Sequence, residues 1–135
     1  MFDTKVALIL RNDLEAWQSL NVTAFLMSGI VAQNPDIIGE PYIDAQKNIY
    51  NPLSRQPAIV LAADGGTIAK IHQRALNRGV RASAYIEEMF TTGHDAANRD
   101  VFAKADPETA KFVGIGIHAD KRIVDKITKG AKMHP

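Results

Sequence analysis

A chain of 135 residues with 46% apolar and 23% charged side chains has the size and make-up of one water-borne globular domain, long enough to close a single core. Its formal net charge of +1 offers no overall field for nucleic acid or an anionic membrane, and the lack of cysteine excludes disulfide frameworks, thiolate zinc sites and cysteine nucleophiles. MFDTKVALIL has no basic leader ahead of a long apolar run, and no stretch nears the ~18–20 apolar residues of a membrane span, so a cytoplasmic protein with no membrane partner is expected.

Lys5 to Leu10 (KVALIL) is a continuous apolar run that suits a strand covered on both faces. Asn21 is the expected N-cap of a first helix, Val22 to Ala32, apolar nearly all round and therefore either buried or packed with one face in the core and another against a partner. Pro35 stops it. Residues 35–56, with Pro41, Pro52 and the turn signal QKN between Tyr42-Ile43 and Ile49-Tyr50, read as an irregular insert holding a small hairpin. PAIVLA (57–62) is a second buried strand. The turn ADGGT, with two glycines at positive φ, leads to a helix capped by Thr67, with Ile68, Ile71, Ala75 and Leu76 inward and Gly79 at its end. A third strand spans about Arg81 to Ile86. Asp95 to Lys104 is expected to be helical with Ala97, Val101 and Phe102 inward, and Asp106-Pro107-Glu108 opens another short helix. KFVGIGIH is a fourth strand, followed by a helix capped by Asp120 with Ile123, Val124 and Ile127 inward and closed by Gly130. This alternation predicts an α/β fold, a three-layer α/β/α arrangement around a mixed four-stranded sheet.

Several tempting features have plainer explanations. ADGGT lacks the rest of a phosphate-loop motif, and Gly114-Ile115-Gly116 lies inside a strand, where close packing explains it better than a dinucleotide fingerprint. His72, His94, His118 and His134 form no metal-ligand spacing, so no metal and no cofactor is expected. From Val101 to Pro135 seven Lys/Arg stand against four Asp/Glu, while the first 56 residues sum to −2; so small a surplus reads as a solvated face. Because ligands in α/β sheets bind beyond the carboxyl ends of strands, three places matter: Asn12-Asp13, Glu87 to Thr92, and His118 to Asp120. In the stretch IEEMFTTGHD (86–95), adjacent Glu87 and Glu88 would point to opposite sides of an extended segment, so at most one faces a site.

KVALILRNDL, PAIVLAADGGTIAKIHQRALNRGVRASAYIEE and VGIGIHADKRIVDKITKGAKMHP resemble, in order and spacing, the first strand, the second strand to third strand, and the last strand to tail of type II peptidyl-tRNA hydrolases. The extra middle segment is similar to that of uncharacterised bacterial proteins of the same superfamily. The resemblance implies a peptidyl-tRNA hydrolase II-like sheet with helices on both faces, often dimeric. The family's G-K-x-A-A-Q falls on Ser19 to Ala24, so its functional lysine position is Leu20; its D-A-G-x-T-Q falls on Glu88 to Gly93, retaining the acid as Glu88 and the hydroxyl as Thr92. Losing one such charged or hydrogen-bonding group commonly slows catalysis by roughly 100- to 1000-fold.

The candidate catalytic residues are therefore Glu88, Thr92 and Asp13, with Glu87 a bystander. The favoured reading is a homodimer that binds or transforms a small molecule near them. The alternatives are a divergent peptidyl-tRNA hydrolase, in which Lys47 replaces the missing lysine and tRNA is the partner, and a non-catalytic dimeric interaction domain.

Overall fold

A computed structural model describes residues 2–135. β1 (Thr4–Arg11) leads to α1 (Ala16–Gln33), a 3-10 turn (Pro35–Ile37), and the paired short strands β2 (Tyr42–Ile43) and β3 (Ile49–Tyr50). There follow β4 (Ala58–Ala63), α2 (Gly65–Asn77), β5 (Ser83–Ile86), a 3-10 turn (Glu87–Thr91), α3 (Asp95–Ala103), β6 (Phe112–Asp120), α4 (Lys121–Ile127) and β7 (Lys132–Met133). The main sheet is mixed and five-stranded, in the order β5-β6-β1-β4-β7. β1 pairs parallel with β4 and antiparallel with β6, while β5 and β7 run antiparallel to β6 and β4. The expected four strands are thus joined by β7, two residues that pair Met133 with Leu61 and Lys132 with Ala62. KM carries no strand pattern of its own, and its pairing comes from the free edge of β4.

Alternation along β1 sorts the core into two layers. Val6, Leu8 and Leu10 pack with Val22, Leu26 and Ile30 of α1, whereas Ala7 and Ile9 pack with Ile68, Ile71 and Ala75 of α2 and Val124 and Ile127 of α4. Each fully buried Val, Leu or Ile contributes about 1.5–3 kcal/mol. Gly114 and Gly116 of β6 lie under α1: a Cβ on Gly114 would come within 2.5 Å of Val22 Cγ1, and one on Gly116 within 3.1 Å of Leu8 Cδ2. The glycines therefore let α1 settle onto the sheet. Between Tyr85 and Ile86 the β5–β6 register slips by one, so Val113 and Gly114 both serve the α1 face while Phe112 turns to the other.

Several local expectations need correcting. α1 begins at Ala16, not after Asn21; Gln18 reaches back to accept the Glu15 N–H at 2.9 Å and closes the first turn. α2 is capped by Asp64, whose carboxylate accepts the Thr67 N–H at 2.7 Å, a bond that also holds the Asp64 carboxyl below its ordinary value. Gly65 and Gly66 then form its first turn and neither has positive φ, unlike Gly79 (φ 65°) and Gly130 (φ 100°). Asp106 to Thr109 is only a turn, with Thr109 and Ala110 N–H groups both donating to the Asp106 carbonyl. Leu76, Phe102 and Ile123, expected inside, are exposed.

The 35–56 segment leaves the body as an arm. Its base is buried Ile37, packed with α1, and its tip is organised by Asp44, which accepts from the Gln46 and Asn48 N–H groups, the Asn48 amide and the Tyr50 hydroxyl. The Asn48 and Tyr50 side chains, in that order, lead in pulling the Asp44 carboxyl down to about 2.

Candidate functional site

β1 ends at Arg11, whose side chain is held between two acids. Nε donates to Asp13 Oδ1 at 2.6 Å and Nη1 donates to Glu87 Oε2 at 2.7 Å. Partial burial works to lower the guanidinium pKa, but the bonds and charges of Glu87 and Asp13 outweigh it and hold it above its ordinary value. Here the structure reverses the reading of the paired glutamates. β5 stops at Ile86 and a 3-10 turn begins, so successive side chains no longer alternate. Glu87, whose N–H is tied to the Lys111 carbonyl at 3.0 Å, swings over Arg11, while Glu88 is exposed and its carboxylate has no ion pair or hydrogen bond among the described residues. Asp13 therefore meets Glu87 through Arg11, and not Glu88.

Thr92 belongs to a different place. Its hydroxyl lies 2.9 Å from the Met89 carbonyl and also against the Asn98 amide. The hydroxyl is the donor in both contacts, its proton shared between the Met89 carbonyl and Asn98 Oδ1. Thr92 and Asn98 line a cavity of about 220 Å³ enclosed by α1, β5, the 87–93 loop and the start of α3.

Four aromatic residues wall that cavity: Trp17, Phe25, Tyr85 and Phe90. Successive rings lie 6.0 Å (Trp17–Phe90), 5.1 Å (Phe90–Tyr85) and 5.6 Å (Tyr85–Phe25) apart, at interplanar angles of 70°, 50° and 54°. Trp17 and Phe25 are 58% and 48% exposed, so two large rings stand at the rim where burial alone would not keep them. Asn21, Thr92, His94, Asp95 and Asn98 add polar groups. His94 Nδ1 accepts the Ala97 N–H at 3.2 Å, which caps α3 and puts the ring proton on Nε2. A second hollow of about 510 Å³ continues outward past Phe25, Met89, Asp95, Asn98, Arg99 and Phe102. Sequence reasoning missed this wall. Its signal was Trp17, Asn21 and Phe25, spaced by four and so stacked along one stripe of α1.

Leu20 lies elsewhere, 73% exposed, beside Arg11, Asn12, Ser19, Ala62 and His134 in a cavity of about 390 Å³. This is the gap between β1 and β4, whose following helices depart to opposite faces of the sheet. Lys47 is at the tip of the arm ahead of β4; among the described residues it makes no ion pair with Asp13 or Glu87, and it does not line the cavity of Arg11 and Leu20. His118 and Asp120 also drop out of the carboxyl-end grouping, because β6 runs antiparallel to β1 and ends beside Thr4 and Val6. Buried His72 stacks on Phe112 at 4.0 Å. Among the described residues no group of three or more His, Asp or Glu could hold a metal ion, and no helix is long and apolar enough to cross a membrane.

Together these features define a mixed α/β protein with an aromatic-walled cavity at one sheet edge and an acid-clamped arginine at its strand ends. Residues 4–135 match the family described as protein of unknown function (DUF2000), and the chain belongs to that family. It is 65% identical to a protein of unknown function from Agrobacterium tumefaciens strain C58 whose structure is solved, with 100% of each chain covered and a TM-score of 0.98. No curated protein matches it in sequence.

Proposed function

We propose that the protein binds a small organic molecule in the cavity between α1, β5 and α3. The observation that carries this reading is the set of four aromatic rings and five polar residues around one hollow. Binding sites of small molecules combine this apolar lining with a few polar groups that fix orientation. A cavity of about 150 Å³ already admits benzene, so about 220 Å³ holds a ring-sized body and the adjoining hollow takes any extension. Thr92 keeps the role of site residue in this reading, while Glu88 and Asp13 do not touch the ligand. The chain's one tryptophan is Trp17 at the rim, so its emission reports occupancy directly. A thermal-shift screen of small metabolites, followed by Trp17 fluorescence titration of the hits, tests the proposal. Hits should raise the melting temperature of the native protein and lose affinity in Asn98→Ala. Hits whose affinity is unchanged by both Asn98→Ala and Phe25→Ala would reject this cavity as the site.

A second reading, ester hydrolysis in the manner of a peptidyl-tRNA hydrolase-like fold, draws support from the cation Arg11 and the acids Asp13 and Glu87 at the carboxyl end of β1. A carboxylate can orient water and a guanidinium can steady an oxyanion. The charge of Arg11 is already answered by two acids, however, and Leu20 adds neither charge nor donor, so phosphate-rich RNA gains little attraction here. Turnover of a model peptidyl-tRNA that disappears in Glu87→Gln would establish this reading, and its absence from the native protein would remove it.

A further inference from the structure

We propose that the ligand of the aromatic cavity is a small organic cation with an alkylated ammonium head; this rests on the small-molecule reading above. The inner cavity contains no lysine or arginine, and its one ionised side chain is the carboxylate of Asp95. His94 spends its Nδ1 on the Ala97 N–H as the cap of α3. Asp95 lines both the inner cavity and the outer hollow, where Arg99 stands beside it. Its ion pair with Arg99, at 2.9 Å, is solvent-exposed on both sides and therefore weak enough to yield to a bound cation.

The ring arrangement points the same way. Neighbouring rings are inclined by 50–70° and do not stack face to face, so no pair of them shields both of its faces in a sandwich. A cation within about 6 Å of such faces is attracted by the ring quadrupoles, most strongly by tryptophan. An alkylated ammonium is suited to this wall because its charge is spread over apolar methyl groups and needs no hydrogen-bond donors or acceptors. A flat neutral ring can pack edge-to-face or offset against the same walls, but it gains nothing from the charge of Asp95. An anion would meet Asp95 and the negative ring faces together. The α3 N-terminus at the cavity edge carries the opposite tendency, but Asp95 in its first turn offsets it, and His94 already occupies the Ala97 N–H.

The test uses the full chain and two probes of the same shape, choline and its uncharged carbon isostere 3,3-dimethyl-1-butanol, each titrated against Trp17 fluorescence and by calorimetry. Choline is expected to bind at least ~5-fold more tightly than the isostere. Asp95→Asn should erase most of that preference while leaving isostere binding unchanged. Phe90→Leu, which keeps apolar bulk but removes a π face, should weaken choline by about 3- to 30-fold and the isostere much less. Asp95 is exposed, so its variant folds as the native protein does. Equal affinity for the two probes, or tighter binding of the isostere, overturns the cation proposal while leaving a small-molecule cavity. Binding of neither, with neutral metabolites binding in the thermal-shift screen, also overturns it. If no small molecule of any charge binds, the underlying reading falls as well.

Discussion

Replacing Gly114 by alanine tests whether the glycines of β6 set the height of α1 above the sheet. The new Cβ would lie 2.5 Å from Val22 Cγ1 and 3.0 Å from Leu26 Cδ1, against an optimum of roughly 3.5–4.0 Å between carbon atoms. Val22 and Leu26 are at most 1% exposed and packed by β1 and Tyr85, so neither can move aside freely. Adding a methyl group to such a core commonly costs about 1–3 kcal/mol. The φ of Gly114 is not positive, so alanine returns about 0.4–1 kcal/mol by restricting the unfolded chain. The 2.5 Å approach puts the overpacking cost in the upper part of its range, about 2–3 kcal/mol. The expected net loss is therefore about 1–2.5 kcal/mol, a fall in melting temperature of roughly 4–10 °C for a chain of this size. Urea unfolding should show the midpoint moving down with an unchanged slope. Gly93→Ala, where a Cβ meets nothing within 4 Å, is the control and should be neutral or slightly stabilising. Val22→Ala removes the closest obstacle, so the double variant should lose less than the sum of the two single losses. A Gly114→Ala protein as stable as the native one would refute the close-packing account, as would strict additivity with Val22→Ala.

Three further outcomes follow from particular residues. Burial lowers the pKa of His72, so the native state favours its neutral form. Stability from this group is fully present above the unfolded value of about 6.5 and is lost as pH falls through the lower folded value. His72→Leu should therefore flatten the acid-side fall of the melting temperature just below pH ~6.5, and an unchanged profile would contradict this. Lys47 holds φ 71°, a left-handed conformation that disfavours a side chain, so Lys47→Gly should slow amide exchange at Asp44 and Asn48 by about 2- to 5-fold. Faster exchange there would count against it. Tyr42, Ile43, Ile49, Tyr50 and Leu53 are exposed on a two-stranded arm, so sedimentation should find a homodimer that Ile43→Lys with Ile49→Lys converts to monomer without lowering the melting temperature. A monomeric native protein at tens of micromolar would remove that expectation.

The layers of the fold were legible because their patterns are long. KVALIL reads as a doubly covered strand and the IVLA of β4 as a second strand, although the expected full burial of that strand is not met and most of its residues are half-buried. Ile68, Ile71 and Ala75 repeat with helical spacing over about two turns. What escaped was decided by few residues or by distant ones. Gln18 moved the start of α1 forward by a single side-chain bond to Glu15, and the two-residue β7 exists because β4 has an open edge. Strand direction was equally hidden. His118 looked like a carboxyl-end residue until the antiparallel pairing of β6 sent it to the other end of the sheet. Local pattern gives the strand but not its sense, which depends on the crossovers between all of them.

The candidate site divided for a related reason. Reading 86–95 as extended chain made the choice between Glu87 and Glu88 a matter of parity, and the resemblance then selected Glu88. A 3-10 turn advances by about 120° per residue and has no such parity. Once it begins at Glu87, that residue is directed by the Lys111 carbonyl holding its backbone and by the nearest cation, Arg11. The same turn carries Met89 and Phe90 back against Tyr85, and its end delivers Thr92 to Asn98. One short irregular segment thus supplies the acid of the Arg11 clamp and a wall of the aromatic cavity. If its conformation couples the two places, a substitution that frees Glu87 from Arg11 should loosen the turn that positions Phe90. Glu87→Gln should therefore weaken binding in the cavity without touching it, an effect that Glu88→Gln, with its side chain in solvent, should not reproduce.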